Sequence, residues 1–365
     1  AYQPVFNGDV VFTGDGDIST DHEIASAVAV DKHGSGQLSF TGESVFGGTT
    51  TIHDGSVRIA KSDTRFWSGA IVNNSELIVD NAHTLVMTGL LSGTGDLIKQ
   101  GSAVLNLSHE NTYTGATRIN KGTIIGGRNS ALGNNSRVII ANDPTAKLRA
   151  SSAGGNLSIG SLEGAGIVEL SATLTVGGND LNTTYSGLLS EGMPDKRLVK
   201  VGSGELTLSG VNTSQFAFGG EIEISSGKII TQSSTALGDG VLVSLADTNG
   251  AELVLANSLS IGALAGGGAS GGGVDLDSYT LTVGSRGDST YDGVISGAGD
   301  LDKTGGSALT LTANSTYSGA TTISNGTLVL SNDAPTSGTS GFAGPGALRI
   351  EPTGDDFTGG FGTSA

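Results

Sequence analysis

Residues 307–330 read SALTLTANSTYSGATTISNGTLVL. Leu309-Thr310-Leu311-Thr312 alternates apolar and polar side chains, the period-2 pattern of a strand with one buried face. Tyr317-Ser318-Gly319 follows, then Thr321-Thr322-Ile323 and Asn325-Gly326. The Asn-Gly pair accepts φ > 0 and so ends a strand. Two or three short strands separated by such turns cannot bury their apolar faces alone. Stacked copies can, because each new copy extends a continuous column.

Three further copies exist. GQLSFTGESVFGGTTTIHDGSVRI starts at Gly36, AVLNLSHENTYTGATRINKGTII at Ala103, and GELTLSGVNTSQFAFGGEIEISSGKII at Gly204. In each copy two glycines lie seven apart: Gly48 and Gly55, Gly115 and Gly122, Gly220 and Gly227, Gly319 and Gly326. An isoleucine sits four after the first glycine, at Ile52, Ile119, Ile224 and Ile323, and an aromatic two before it, at Phe46, Tyr113, Phe218 and Tyr317.

A second repeat type lies between these: TRFWSGAIV from Thr64, NTTYSGLLS from Asn182 and DSTYDGVIS from Asp288. LSIGSLEGAGIVELSATLTVGG from Leu157 is echoed by LSIGALAGGGASGGGVDLDSYTLTVGS from Leu259. Gly89, Gly187 and Gly293 are spaced 98 and 106 apart. Units of about 20 residues therefore nest in a longer repeat, the signature of a solenoid. An array of antiparallel sandwich domains fits the long period, but it would need stronger aromatic cores, and aromatics are only 5% of the chain. The expected fold is an all-β, single-stranded right-handed parallel β-helix, an elongated rod. Residues 1–33 are expected to be an N-terminal cap or first rungs, 34–330 the repetitive helix, and 331–365 a further partial repeat. The last assignment rests on 343–350, which echoes 236–243.

Composition agrees. Gly accounts for 61 of 365 residues, far above the usual share of about 7%. The acidic residues favour Asp, a turn residue, over Glu, a helix former. The net charge of −17 makes nucleic acid and anionic lipid poor partners. No apolar run reaches the length of about 18 residues that spans a membrane, so membrane insertion of this segment is not expected.

The run GVISGAGDLDKTGGSALTLTANSTYSGATTISNGTLVL from Gly293 resembles the passenger-associated repeat of autotransporters, the type V secreted proteins. The copy from Gly89, GLLSGTGDLIKQGSAVLNLSHENTYTGATRINKGTII, matches nearly as well. The copy from Gly187 departs, with Glu191-Gly192-Met193-Pro194-Asp195 inserted and Phe218 in place of Tyr. The resemblance implies a right-handed β-helix, export through an outer-membrane pore, and a translocator barrel in the full-length chain. The lack of Cys fits that route. It also implies a Gram-negative cell-surface or secreted location.

Several short strings could bear chemistry. Gly268-Ala269-Ser270-Gly271-Gly272 matches G-x-S-x-G, but a nucleophile elbow needs a strand before it and a helix after it, and glycines flank it here. Gly338-Thr339-Ser340 is similar to a subtilase serine motif without partner motifs. Gly287-Asp288-Ser289 falls in a turn equivalent to 179–183. The histidines at 22, 33, 53, 83 and 109 show no pair at metal-ligand spacing. Asp15-Gly16-Asp17 with Asp21 lacks the order of a calcium loop, and Gly178-Asn179-Asp180-Leu181 is a single copy. The aromatic-x-Gly positions suggest a stack at one corner, partly buried, rather than a sugar-binding stripe. Arg286-Gly287-Asp288, the integrin-binding tripeptide, is the candidate binding site. No catalytic residue, metal or cofactor is expected. The expected function is adhesion through a long lateral polar face. The partner is then another copy of the chain on a neighbouring cell, or a host surface, matrix or abiotic surface. An inert stalk for a domain outside this segment is the alternative, and an enzyme passenger the third reading.

Overall fold

The computed structural model describes residues 5–6, 8–21, 23–24, 27–42, 46–60, 65–133, 135–151, 155–193, 196–212, 219–284, 286–331 and 342–351. Among them every regular element is a strand, and none is a helix. The chain divides into two compact units, 1–179 and 180–365.

In the first unit the chain passes three faces in turn. One face stacks Val10–Phe12, Val30–Lys32, Thr50–Ile52, Ile71–Asn73 and Leu91–Ser92. The next includes Gln37–Phe40, Ser56–Ile59, Glu76–Val79, Asp96–Lys99 and Thr117–Ile119. The third includes Leu85–Met87, Val104–Leu107, Thr123–Gly126 and Lys147–Ala150. Each strand pairs, in parallel, with the strand one turn earlier: Leu38 with Val57, Val57 with Leu77, Leu77 with Leu97, Leu97 with Thr117. Partners are therefore about one sequence repeat apart, which defines a β-solenoid.

The second unit is built the same way. Glu205–Leu208, Lys228–Thr231, Glu252–Leu255 and Gly273–Asp275 stack on one face, and Leu259–Ile261, Leu281–Val283, Leu301–Lys303 and Thr321–Ile323 on another. Among its described residues all pairings are parallel, which excludes the antiparallel sandwich.

Strand alternation decides the core. Leu38, Val57, Leu77 and Leu97 form an inward column with no exposed surface, as do Ile229 and Leu253. Full burial of each such side chain contributes about 1.5–3 kcal/mol. Ile323 and Leu311 point inward, while Thr322 and Thr310 are half-exposed, as the alternation requires.

The excess of Asp has a local cause. A turn carboxylate accepts a backbone N–H from the coil that follows: Asp17 from Gln37 (2.9 Å), Asp96 from Ala116 (2.7 Å), Asp180 from Ser203 (2.6 Å), Asp288 from Ala308 (2.8 Å) and Asp300 from Ala320 (2.7 Å). Asp is short enough to reach one rung and no further. These bonds satisfy turn donors that the ladders leave over.

Candidate functional site

The four quoted repeats share a feature that glycine and aromatic spacing did not disclose. Each is preceded by an apolar-x-Lys strand segment: Val30–Lys32, Leu97-Ile98-Lys99, Leu198-Val199-Lys200 and Leu301–Lys303. Period 2 turns that lysine inward, and Lys32, Lys99, Lys200 and Lys303 are all at most 2% exposed. Each lies beside the repeat's isoleucine on the next turn: Lys32 with Ile52, Lys99 with Ile119, Lys200 with Ile224, Lys303 with Ile323.

A buried ammonium must be hydrogen-bonded, and the turn supplies the acceptors. Lys32 Nζ donates to the carbonyls of His33 (2.9 Å), Gly34 (2.7 Å) and Asp54 (3.3 Å). Lys200 Nζ donates to Val201 (2.7 Å), Gly202 (3.0 Å) and Ser226 (3.3 Å). Lys303 Nζ reaches Thr304, Gly305 (3.1 Å) and Asn325 (3.4 Å), and Lys99 Nζ reaches Gly101 and Lys121 (3.4 Å). The last acceptor in each set precedes the second glycine of the repeat. Those glycines, Gly55, Gly122, Gly227 and Gly326, have φ of +67°, +71°, +66° and +73°. A Cβ on any of them would collide with carbonyl oxygens of the turn below. Burial pushes the Lys99 and Lys200 ammonium groups down to about 8, and lowers Lys32 and Lys303 in the same direction. The legible signal was Lys-x-Gly after an apolar-x position.

The aromatic positions are interior rather than partly exposed. Phe46, Trp67, Tyr113, Tyr185, Tyr291 and Tyr317 are each at most 3% exposed, so they offer no sugar-stacking stripe. Phe46 and Trp67 stack at 3.7 Å. The tyrosines hold individual hydrogen bonds: Tyr113 with Thr117 (2.6 Å), Tyr317 with Thr321 (2.5 Å), Tyr185 to the Leu188 carbonyl (3.0 Å), Tyr291 to that of Gly272 (2.6 Å). Burial pushes the Tyr317 phenol up to about 12 and raises Tyr113 and Tyr291. Phe218 lies outside the described residues.

The remaining candidates take these places. Arg286 is half-buried, and its guanidinium donates to the carbonyls of Gly219 (2.5 Å), Gly220 (2.6 Å) and Gly240 (3.4 Å). Gly287 and Asp288 are exposed. Ser270 sits in a turn whose Ser270 and Gly271 N–H groups donate to Asp247 (2.7 and 3.1 Å). Asp15 accepts both the N–H (3.1 Å) and hydroxyl (2.9 Å) of Ser35, and these bonds lower its pKa. His22 and 338–340 lie outside the described residues. His33 and His53 do come together: the 20-residue coil step stacks their rings at 4.1 Å, which linear spacing concealed. Among the described residues no group of three or more His, Cys, Asp and Glu could hold a metal ion.

A parallel coil with the same lysine-closed turn in four places is a repetitive solenoid. The four segments match the passenger-associated-transport-repeat family, at residues 30–59, 97–125, 198–229 and 301–330. The chain is also similar to the adhesin BmaC autotransporter of Brucella suis biovar 1 (strain 1330). Identity is 28% over 403 aligned residues, covering 80% of this chain and 12% of that protein. The chain thus carries four such repeats and is similar over most of its length to a small part of an autotransporter adhesin. No solved structure matches.

Proposed function

We propose that this chain is a length of adhesin passenger that works by contact at the surface of a Gram-negative cell, without catalysis. The similarity to an autotransporter adhesin carries this reading. The outward positions agree with it: Thr282, Asp302 and Thr322 succeed one another up one sheet, and Thr290 and Thr310 up another. Each polar contact contributes only about 0.5–1.5 kcal/mol net, so affinity comes from many rungs in register and many chains per cell. The partner we favour is a second copy on another cell.

The charge of −17 opposes approach of two copies at low salt. Coating beads with the chain and raising salt toward physiological strength, where the Debye length is about 8 Å, is expected to increase aggregation. No aggregation at any salt, or a steady fall with added salt, overturns self-association and leaves a host ligand or a stalk. Arg286-Gly287-Asp288 is the tripeptide to test for host binding. Asp288→Ala lowering cell attachment would favour it, whereas unchanged attachment would remove it.

A further inference from the structure

Asn325 and Gly326 form the turn that Lys303 closes. Asn325 is exposed. The Gly326 N–H donates to the Asn325 side-chain oxygen at 2.8 Å, so the amide is folded back over the peptide nitrogen that follows it. Gly326 brings no Cβ to hinder approach, and its φ of +73° belongs to the turn, not to a ladder. The strand resumes one residue later, where Thr327 N–H donates to the Ser307 carbonyl at 3.3 Å.

The geometry points to Asn325–Gly326 as a site of spontaneous deamidation, a modification that converts this turn to the acidic form already encoded at Asp54–Gly55. The Gly326 nitrogen loses its proton to solvent base and bonds to Cγ of Asn325. The bond from Cγ to the side-chain nitrogen breaks, and ammonia leaves. Water then opens the five-membered imide to aspartate or isoaspartate. No electrons are exchanged, and the chain gains one negative charge.

Two observations give the product a place in the fold. The equivalent residue of the first repeat is Asp54, whose carbonyl accepts from Lys32 at 3.3 Å as that of Asn325 accepts from Lys303 at 3.4 Å. The acidic turn is thus compatible with a lysine-closed repeat. The Asp54 carboxylate also favours the charged form of Lys32, and a carboxylate at 325 would do the same for Lys303. Isoaspartate instead lengthens the main chain where Gly326 rests on the carbonyls of Gly305 and Ser307. The folded turn therefore directs opening toward aspartate. Asn249–Gly250 provides an internal comparison. It is a second exposed Asn-Gly pair, and no bond between its amide and the Gly250 nitrogen is present among the described residues.

The test is to incubate the folded chain at mildly alkaline pH and follow ammonia release and site-resolved peptide masses, with a urea-unfolded sample alongside. The expected result is conversion at Asn325 ahead of Asn249 in the folded chain, with a higher aspartate-to-isoaspartate ratio than in urea. Asn325→Gln, whose longer amide does not form the five-membered ring, reduces conversion at this turn to background. Asn325→Asp, the finished product, is expected to fold with an unchanged or slightly raised Tm. An amide at 325 that persists in the folded chain while the urea sample converts overturns the proposal, as does conversion at Asn249 first.

Discussion

The two units carry the same coil but neutralise their carboxylates differently. Residues 1–179 hold 11 Lys and Arg against 16 Asp and Glu, a net charge of −5; residues 180–365 hold 7 against 19, a net charge of −12. In the first unit arginines reach across turns: Arg58 to Asp80, Arg118 to Asp96 (3.1 Å), Arg137 to Glu163 (2.5 Å), and Arg149 with Lys147 to Glu169 (2.5 and 3.0 Å). The second has Arg197 with Glu221 and Glu223 (2.7 and 2.8 Å) and Lys228 with Glu252 (2.7 Å). Its turn carboxylates also accept uncharged donors: Asp180, Asp288 and Asp300 take backbone N–H groups, and Asp292 and Asp302 take the hydroxyls of Thr312 and Ser324. A backbone donor satisfies a carboxylate's hydrogen bonds without cancelling its charge. The interior is common to both units, with two lysine-closed turns in each, while the surface potential differs. That difference allows one scaffold to present unlike faces.

The largest effect tests the common interior. Ile323→Asp in the second unit, or Ile119→Asp in the first, places an unpaired charge in the column and is expected to cost more than about 4 kcal/mol. Trp67, the chain's single tryptophan, is stacked on Phe46 and reports the first unit by fluorescence. A soluble variant with an unshifted melting curve would refute the inward assignment.

Next come the lysines. Lys99→Met and Lys200→Met keep most of the volume but leave turn carbonyls without their donor, at about 1–3 kcal/mol each. Comparable losses of Tm are expected in both units; a loss in only one would break the equivalence. The same groups fix a pH dependence. Their ammonium groups titrate near 8 when folded, against 10.5 in the unfolded chain. Between those values the unfolded chain binds more protons, so stability rises with pH in that window and is level with respect to these groups below it. Tm measured at pH 7, 8 and 9 is expected to climb in the parent and to climb less in the double Met variant.

Thr117→Val and Thr321→Val remove the buried partners of Tyr113 and Tyr317. Each is expected to cost about 1 kcal/mol, read from chemical denaturation, with the two units affected alike. The smallest effect separates the units again. Arg137→Gln breaks a half-exposed ion pair, for which about 0.2–1 kcal/mol is expected, shrinking in high salt. Thr310→Ser on the outward face of the second unit is expected to leave denaturation unchanged at any salt.

Much of this was legible in the chain. Alternation at Leu309–Thr312 assigned inward and outward side chains, and the second glycine of each pair marked a turn with φ > 0. Lys32, Lys99, Lys200 and Lys303 were legible in principle, since Leu-x-Lys on a period-2 strand turns the lysine inward. A lysine is ordinarily read as solvated, though, because the carbonyls that make its burial tolerable belong to other turns. Arg286 shows the same limit. Its tripeptide reads as an exposed loop, yet its guanidinium bonds to carbonyls 46 to 67 residues earlier in the chain.

The sequence by itself determined the strands, their faces and the approximate coil length, because these follow from side-chain periodicity and the steric freedom of glycine. The tertiary structure decided which residues meet. His33 on His53, Phe46 on Trp67, and the Lys303 ammonium on the Asn325 carbonyl are neighbours only once each turn lies in register on the last. Among the described pairings that register varies, from 17 residues between Leu157 and Leu174 to 25 between Gly266 and Tyr291. Turns absorb the extra residues outside the ladders, so linear spacing cannot fix it; the register is settled where apolar columns and parallel hydrogen bonds can be satisfied together.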